Sequence, residues 1–395
     1  MPSEFNESLL AELQAGLREL ESRSQRRTLG EISGVNLCSN DYLGLADNPS
    51  LKQSVIESVA NAARLGGTGS RLLSGHAAVW NELEEEFAAF AGSQAALYFG
   101  SGYAANIGLL TSLAGKTDVI FSDALNHASI IDGIRLSGAR KIIYSHRDLN
   151  ALESSLKENE SKPGRKLIVS ETVFSMEGDV VPLDEIVALA EKYGACVIID
   201  EAHATAVHGP DGRGIATQFL ADGRILAAMH TCGKALASAG AFVCGMAVLR
   251  EHLINHARTF IFGTAMPPYM AEQIRAALRL ATGMNTERAE LLSRSQDFAK
   301  SLQRDGWETL GTTTQIVPAV IGANDAALTA AEFLQRAGFA VRAIRPPTVP
   351  PGTARIRFSV THKLTAAELE KLAAALSTWR AQSHYPIPLA LAGSA

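Results

Sequence analysis

The sequence predicts an α/β protein in which a mainly parallel sheet covered by helices forms a large domain, followed by a smaller C-terminal α/β domain. Runs of β-forming residues alternate with helical patterns, which is typical of parallel sheets with helices on both faces. Between Ala95 and His203 these runs are "AALYFG", "DVIFSD", "KIIYSH", "KLIVSETVFS" and "ACVIIDEAH". The length of 395 residues also favours more than one domain.

The two ends of the chain carry their own patterns. An amphipathic N-terminal helix, rather than a leader peptide, is predicted by leucines at helical spacing: Leu9, Leu13, Leu17 and Leu20. After Thr286 the runs "VPAVIG", "AVRAIR" and "RIRFSV" and the helical "TAAELEKLAAALSTWRAQ" predict the smaller domain. We therefore expect an N-terminal helix and arm over 1–45, a large domain over 46–286 and a small domain over 287–395.

Composition excludes several classes of partner. With 47% hydrophobic residues, 19% charged residues and a net charge of -5, the chain reads as an ordinary globular protein without a basic stripe. We expect neither nucleic acid nor a membrane as a partner. The chain has no CxxC spacing of the kind that would suggest a metal site. We expect reduced thiols in the cytoplasm for its four cysteines, Cys38, Cys196, Cys232 and Cys244.

One lysine stands alone in the stretch "ILAAMHTCGKALASAGAFVCGMAVL", which runs from Ile225 to Leu249. A transmembrane helix is disfavoured, because a lysine at mid-bilayer costs roughly 2.5–3.5 kcal/mol. Lys234 fits either a structural lysine that extends its amine to solvent or a desolvated amine that attacks a carbonyl. Both interpretations stay open on this stretch alone.

A carboxylate ends the next apolar run, "VIIDEAHATAVHG". Asp200 is expected at the carboxyl end of a strand, where open α/β sheets bind ligands, and His203 follows it. Asp200 would suit a pyridine nitrogen that must stay protonated, as in pyridoxal phosphate (PLP). It would equally suit the cap of a turn.

A glycine turn opens a helix in "YFGSGYAANIGLL". Gly100, Ser101 and Gly102 resemble a dinucleotide fingerprint, with Asp123 standing where a ribose-binding carboxylate would. The same turn would let backbone N–H groups bind a single phosphate, with Tyr103 beside a ring. The local pattern does not choose between them.

Taken together, the motifs resemble the α-oxoamine synthase family of fold-type-I PLP enzymes. The resemblance extends over nearly the whole chain, through "LCSNDYLGL", "GSRLLSGH", "SGYAAN", "LNHASIIDG", "ETVFSMEGD", "DEAHATAVHG", "HTCGKAL" and "IRPPTVPPGTARIRFS". It implies the fold-type-I transferase fold and PLP as cofactor. It also implies that the chain condenses an amino acid with an acyl thioester, on coenzyme A or a carrier protein, with loss of carbon dioxide.

The resemblance assigns cofactor roles residue by residue. Lys234 would bond covalently to the cofactor, Asp200 would lie under the pyridine nitrogen, and His203 would lie near the phenolic oxygen. His127 matches a histidine that stacks on the ring. Further cofactor contacts match Gly102, Tyr103, Ser175, Thr231 and Thr264. Thr264 is implied to reach the neighbouring subunit's cofactor, so a homodimer with shared sites is expected.

Substrate roles follow in the same way. Asn40 and Arg357 match positions that hold the amino-acid carboxylate, for which a planar guanidinium is suited. Thr348 and Arg26 match other substrate-side positions. Ser70 stands where glycine-using members carry threonine, which favours L-alanine. The segment "AIRPPTVPPGTARIR" favours a pimeloyl thioester as the acyl donor.

Alternatives and departures accompany the resemblance. The alternatives are a sibling activity with acetyl, succinyl or palmitoyl donors, an aminotransferase, and a catalytically silent partner subunit. The segment between Arg26 and Asn40 is shorter than is usual in the family. Four positions carry unusual residues: Ala204 and Ala206 in place of glycine, Gly263 in place of a small residue such as serine, and Trp80 in place of histidine.

Overall fold

The computed structural model describes residues 4–31, 33–383 and 385. The outer parts of the two predicted terminal domains, 1–3 and 386–395, lie outside the described residues. The α-helices are α1 (Glu4–Ser22), α2 (Pro49–Ala60), α3 (Ala78–Ala91), α4 (Gly102–Leu113), α5 (Ala128–Ser137), α6 (Leu149–Glu158), α7 (Leu183–Tyr193), α8 (Thr217–Ala221), α9 (Ala247–His256), α10 (Arg258–Ile261), α11 (Tyr269–Thr282), α12 (Asn285–Arg304), α13 (Asn324–Arg336) and α14 (Ala366–Gln382).

Strands and short helical turns complete the elements. A π-helical turn spans Arg71–Gly75 and a 3-10 turn spans Pro210–Gly212. The strands are β1 (Val35–Asn36), β2 (Ala95–Phe99), β3 (Val119–Asp123), β4 (Arg140–Tyr144), β5 (Lys166–Glu171), β6 (Cys196–Asp200), β7 (Ala227–Thr231), β8 (Ala241–Gly245), β9 (Ile316–Gly322), β10 (Phe339–Ala340), β11 (Ala343–Ile344) and β12 (Ala354–Ser359).

The larger of two compact units comprises residues 40–175 and 179–290. Its seven-stranded sheet has the order β2-β8-β7-β6-β5-β3-β4, and β8 runs antiparallel to both neighbours while the remaining pairs are parallel. Helices α4 and α5 pack on it, and their side chains join the strands in one apolar core that includes Leu109, Ile130, Val169, Ile198 and Val243. The predicted α/β class with a mainly parallel sheet is confirmed.

The smaller unit comprises residues 1–39, 176–178 and 291–395. It contains an antiparallel sheet in the order β11-β12-β9 and the short parallel pair β1-β10. Helix α14 begins with a capping box, in which the Thr365 hydroxyl accepts the Glu368 N–H and the Glu368 carboxylate accepts the Thr365 N–H. The N-terminal helix belongs to this unit, so the predicted three-segment division stays a prediction.

The stretch around Lys234 forms two strands rather than a helix. Strands β7 and β8 pair antiparallel, with Thr231 opposite Ala241, and the connecting loop carries Lys234. The many small residues concealed the strand pattern, because alanine and glycine have low β-propensity. No helix among the described residues is long and apolar enough to cross a membrane.

Candidate active site

The carboxyl end of β6 supplies a buried carboxylate. Asp200 is 4% exposed, and each of its side-chain oxygens accepts one bond from the protein. The Ala202 N–H donates to Oδ1 at 2.8 Å and the Asn106 amide donates to Oδ2 at 2.8 Å. Asp200 therefore caps the turn, and because a carboxylate oxygen can accept more than one hydrogen bond, the two interpretations of its role are compatible.

A polar chain connects the loop lysine to the start of the larger unit. Lys234 Nζ lies 2.8 Å from His203 Nε2, and His203 Nδ1 lies 2.7 Å from the Tyr42 hydroxyl. Tyr42 is fully buried and also donates to Asn40 Oδ1 at 3.1 Å. Lys234, His203 and Asn40 are thus brought together as predicted site residues, whereas Tyr42 was missed by sequence reasoning.

His127 is fixed at the start of α5. It is the N-cap residue, and its Nδ1 lies 2.8 Å from the Ser129 hydroxyl and accepts the Ser129 N–H at 3.2 Å. Loss of solvent around the ring lowers the pKa of His127, Asp200 opposes this, and the charge of Lys234 lowers the pKa further. The residue keeps an exposed surface, so the neutral imidazole can present a face to a planar ligand.

The start of α4 lies beside the end of β7. Ser101 caps this helix by accepting the Ala104 N–H at 3.1 Å. A Cβ on Gly102 would lie 3.3 Å from Met229 Cε and 3.9 Å from Thr231 Oγ1. The helix N-terminus therefore lies near Thr231, and N–H groups at a helix start are suited to a phosphate.

Tyr103 and Ser175 occupy less central positions. The Tyr103 hydroxyl donates to the Asp132 carboxylate on α5, and its ring lies 6.2 Å from that of His127 in an edge arrangement. Ser175 lies in the turn after β5, close to the bridge between Val173 and Val180. The proposed cofactor roles of both residues stay predictions.

Ser70 and Thr264 are neighbours in the structure. They form an antiparallel bridge, and the Ala265 N–H donates to the Gly69 carbonyl at 2.9 Å. A Cβ on Gly67 would lie 2.3 Å from the Ala265 carbonyl oxygen, so a side chain at position 67 would prevent this segment from lying so close to Ala265. The predicted substrate-side and cofactor-side residues are therefore held in one pair of loops.

The smaller unit contains the remaining predicted residues. Arg357 lies on β12, is 8% exposed and donates to the Ser359 hydroxyl at 2.6 Å. Arg26 is exposed and pairs with Glu21 at 3.0 Å on the surface. Instead, the adjacent Arg27 donates to the Thr348 hydroxyl at 3.2 Å.

Asp123, the carboxylate that the dinucleotide interpretation needs, is bonded within the protein. Asp123 Oδ1 lies 2.9 Å from His146 Nδ1 and accepts the Leu125 N–H at 2.8 Å, while Oδ2 accepts the Arg147 N–H at 3.0 Å. Asp123 is 2% exposed. A carboxylate held inside the protein in this way is poorly placed for a ribose, which favours the single-phosphate interpretation of the glycine turn.

Two of the unusual positions have structural explanations. Trp80 is fully buried and stacks on Tyr98 with ring centroids 4.4 Å apart, so in this chain it is a core residue. Ala206 has φ of 65°, a conformation that explains a glycine at this position, whereas nothing in the structure explains the alanine. A Cβ on Gly263 would lie 2.6 Å from the Thr259 carbonyl oxygen, which disfavours a serine.

The residues of the larger unit fit PLP. They offer an amine on a loop, a buried carboxylate at a strand end, an exposed imidazole and the N-terminus of a helix that begins at a glycine. These groups match, respectively, the aldehyde, the pyridine nitrogen, the ring face and the phosphate of that cofactor.

Comparisons with known proteins identify the family of the chain. A family model described as aminotransferase class I and II matches residues 32–376. The 8-amino-7-oxononanoate synthase of Geobacter sulfurreducens is 45% identical over 376 residues, which is 91% of this chain and 96% of that protein.

Solved structures show the same fold. A serine palmitoyltransferase from S. paucimobilis with bound PLP–myriocin has a TM-score of 0.86 at 28% identity, over 95% of this chain and 98% of that one. The Francisella tularensis 8-amino-7-oxononanoate synthase has a TM-score of 0.76 at 28% identity, over 89% of this chain and 98% of that one. The predicted fold-type-I transferase fold is confirmed. The chain belongs to the aminotransferase class I and II family, in its 8-amino-7-oxononanoate synthase branch.

Proposed function

We propose that this chain is a PLP-dependent acyltransferase of biotin synthesis. It condenses L-alanine with a pimeloyl thioester and releases 8-amino-7-oxononanoate, carbon dioxide and the free thiol. The observation that carries this proposal is the Lys234 amine, 2.8 Å from His203 and on the same sheet edge as Asp200, in a chain 45% identical to a synthase of that name.

The side chains divide the chemistry among them. When bound, PLP supplies an electron-withdrawing ring that accepts the electron pair of the breaking Cα–H bond. Lys234 would hold the cofactor through its amine, and with the amino acid bound that amine would take the Cα proton as general base. His203, in contact with that amine, receives or returns the proton. Asp200 would keep the pyridine nitrogen protonated, because a carboxylate stabilises a neighbouring positive charge.

His127 has two proposed tasks. Its exposed ring packs against the cofactor, and its Nε2–H is suited to donate to the acyl oxygen as negative charge develops there. The roles of Asn40 and Arg357 toward the amino-acid carboxylate stay predictions. So do the substrate-side roles of Thr348 and Arg26.

We also propose a homodimer with shared active sites, in the cytoplasm. The bridge between Ser70 and Thr264 supports the proposal that the two residues serve the same active site. If Thr264 reaches the partner's cofactor, Ser70 then lies beside the partner's amino acid. The cytoplasm is proposed because its reducing conditions suit the four free cysteines, Cys38, Cys196, Cys232 and Cys244.

A serine palmitoyltransferase-like activity is the second candidate. The observation that favours it is the TM-score of 0.86, above the 0.76 of the Francisella tularensis synthase. We rank it below the first, because sequence identity reaches 45% to a synthase but only 28% to the palmitoyltransferase.

A substrate panel tests both candidates. Acetyl, succinyl, pimeloyl and palmitoyl thioesters, on coenzyme A and on a carrier protein, are each offered with alanine, glycine and serine. We expect the highest kcat/KM for pimeloyl with alanine. A higher kcat/KM for palmitoyl with serine, or for acetyl or succinyl with glycine, would assign the chain to another activity of the α-oxoamine synthase family. Pyridoxamine phosphate formed with the amino acid alone would indicate an aminotransferase, and inactivity with every pair would indicate a silent partner.

A further inference from the structure

A buried amide connects the carboxylate at the strand end to the imidazole at the helix start. Asn106 on α4 is 3% exposed. Its Nδ2 lies 2.8 Å from Asp200 Oδ2 and 2.9 Å from the Ser129 hydroxyl, which in turn lies 2.8 Å from His127 Nδ1. Four side chains from three different elements therefore form one hydrogen-bonded row.

The direction of each bond in this row is determined. An ionised carboxylate only accepts, so the Asn106 atom that faces Asp200 is the NH2 group, and its second hydrogen points to Ser129. The Ser129 oxygen accepts that hydrogen, which leaves its own hydrogen for His127 Nδ1. The same Nδ1 also accepts the backbone N–H of Ser129 at 3.2 Å. With two donors directed at it, Nδ1 carries no proton, and the neutral ring carries its proton on Nε2.

Close packing of two helices sets this geometry. A Cβ on Gly133 would lie 2.8 Å from Leu110 Cδ1 and 3.2 Å from the Asn106 carbonyl oxygen. The absence of a side chain at Gly133 therefore lets α5 approach α4 at the level of Asn106. Ser129, one turn earlier on α5 and 1% exposed, is thereby brought within reach of the amide.

We infer that Asn106 and Ser129 are positioning residues that hold His127 in the Nε2–H tautomer and fix the orientation of the Asp200 carboxylate. This inference rests on the proposed function. In that reaction, a neutral His127 presents an N–H to the acyl oxygen, and Asp200 meets the pyridine nitrogen with an oxygen that needs no rotation. The Asn106 amide thus orients Asp200, the group proposed for the pyridine nitrogen. Through Ser129 it also orients His127, the group proposed for the ring face.

The tautomer of His127 is measured directly by nitrogen NMR. Protein labelled with 15N in its histidines is compared with His127→Gln, which identifies the His127 signals with or without cofactor. We expect an unprotonated Nδ1 and a protonated Nε2 at neutral pH. Ser129→Ala is expected to shift both signals toward tautomer-averaged positions, and Ser129→Thr, which keeps the hydroxyl, to restore them. A proton on Nδ1 in the wild type, or no shift in Ser129→Ala, overturns the inference.

Kinetics and absorbance of the holoenzyme separate positioning from folding. Losing a hydrogen bond to a charged group is worth about a 10–100-fold change, so we expect Asn106→Ala to lower kcat by that factor with KM for the amino acid nearly unchanged. The absorption band of the bound cofactor is expected to shift. The matched control is Asn159→Ala: Asn159 is 2% exposed, donates to the Ser155 carbonyl at 2.7 Å and is the C-cap residue of α6.

The two variants give different patterns if the inference holds. Asn159→Ala is expected to lose stability while it keeps the wild-type kcat and absorption band. An Asn106→Ala enzyme that loses stability alone would overturn the inference. If instead the wild type makes no amino ketone from any substrate pair, the proposed function fails, and the His127 signals still test the row of hydrogen bonds.

Discussion

Lys234 Nζ lies 2.8 Å from His203 Nε2, and the opposite nitrogen of the same imidazole lies 2.7 Å from the Tyr42 hydroxyl. A phenol has a single hydrogen, and Tyr42 donates it to Asn40 Oδ1. Its oxygen can then accept His203 Nδ1–H, with Nε2 facing the Lys234 amine as an acceptor. The chain therefore places an imidazole between the lysine amine and a buried phenol.

The Lys234 amine is expected to be indispensable. In Lys234→Ala, kcat should fall by at least about a hundredfold, since the loss of a general base alone costs 10²–10⁴-fold. Borohydride should fix PLP covalently to the wild-type peptide that contains Lys234, as read by mass spectrometry, and should leave the variant unlabelled. Wild-type turnover in the variant would remove Lys234 from the mechanism.

Tyr42 is expected to act through His203. In Tyr42→Phe, the buried Nδ1 of His203 loses its partner phenol, so kcat should fall about tenfold and the free energy of unfolding by about 1 kcal/mol. The matched control is Tyr144→Phe, because Tyr144 is buried on β4. Steady-state kinetics and urea unfolding of both variants provide the measurement, and equal kcat values in the two would contradict a role for Tyr42.

The strands of the larger sheet were predictable because β3, β5 and β6 are almost wholly buried and therefore read as apolar runs. Asp200 was predictable for a related reason, since ligands of open sheets meet strand ends. Strands β7 and β8 were missed because small residues conceal their pattern. Tyr42 was missed because its partner His203 lies 161 positions away, and a hydrogen bond of that range leaves no local signal.

His146 is expected to give the fold a pH dependence. Burial alone would lower the pKa of His146, but its bonds to Asp123 and Asp179, each 2.9 Å long, raise the pKa to about 9. Because this value is above the ordinary one of about 6.5, the stabilisation is complete below that pH and is lost as the pH rises through about 9. It amounts to about 3 kcal/mol.

Urea unfolding at about pH 6 and again above pH 9 measures this loss. His146→Gln keeps a polar side chain but cannot titrate, so its stability should change less over the window. Parallel pH profiles for the two proteins would mean that His146 is not the group responsible.

Ser70 is expected to admit the methyl group of L-alanine. A difference of one methylene is worth about 1–3 kcal/mol, so Ser70→Thr should lower kcat/KM for alanine about 10–100-fold relative to glycine with the same acyl donor. Glycine kinetics in the same variant serve as the control for general damage. If the ratio of kcat/KM for alanine to kcat/KM for glycine is unchanged in the variant, Ser70 does not select the amino acid.

Arg27, rather than Arg26, is expected to serve the acyl donor. Arg27 donates to the Thr348 hydroxyl, whereas Arg26 pairs with Glu21 on the surface, and an exposed ion pair of that kind is worth at most about 1 kcal/mol. Arg27→Ala should therefore raise KM for the acyl thioester, while Arg26→Ala, the matched control, should leave it unchanged. The two arginines are adjacent in the sequence. A shift of one position in the alignment of this short segment with the family would therefore exchange their roles. A larger rise of KM in Arg26→Ala than in Arg27→Ala would restore the sequence-based assignment.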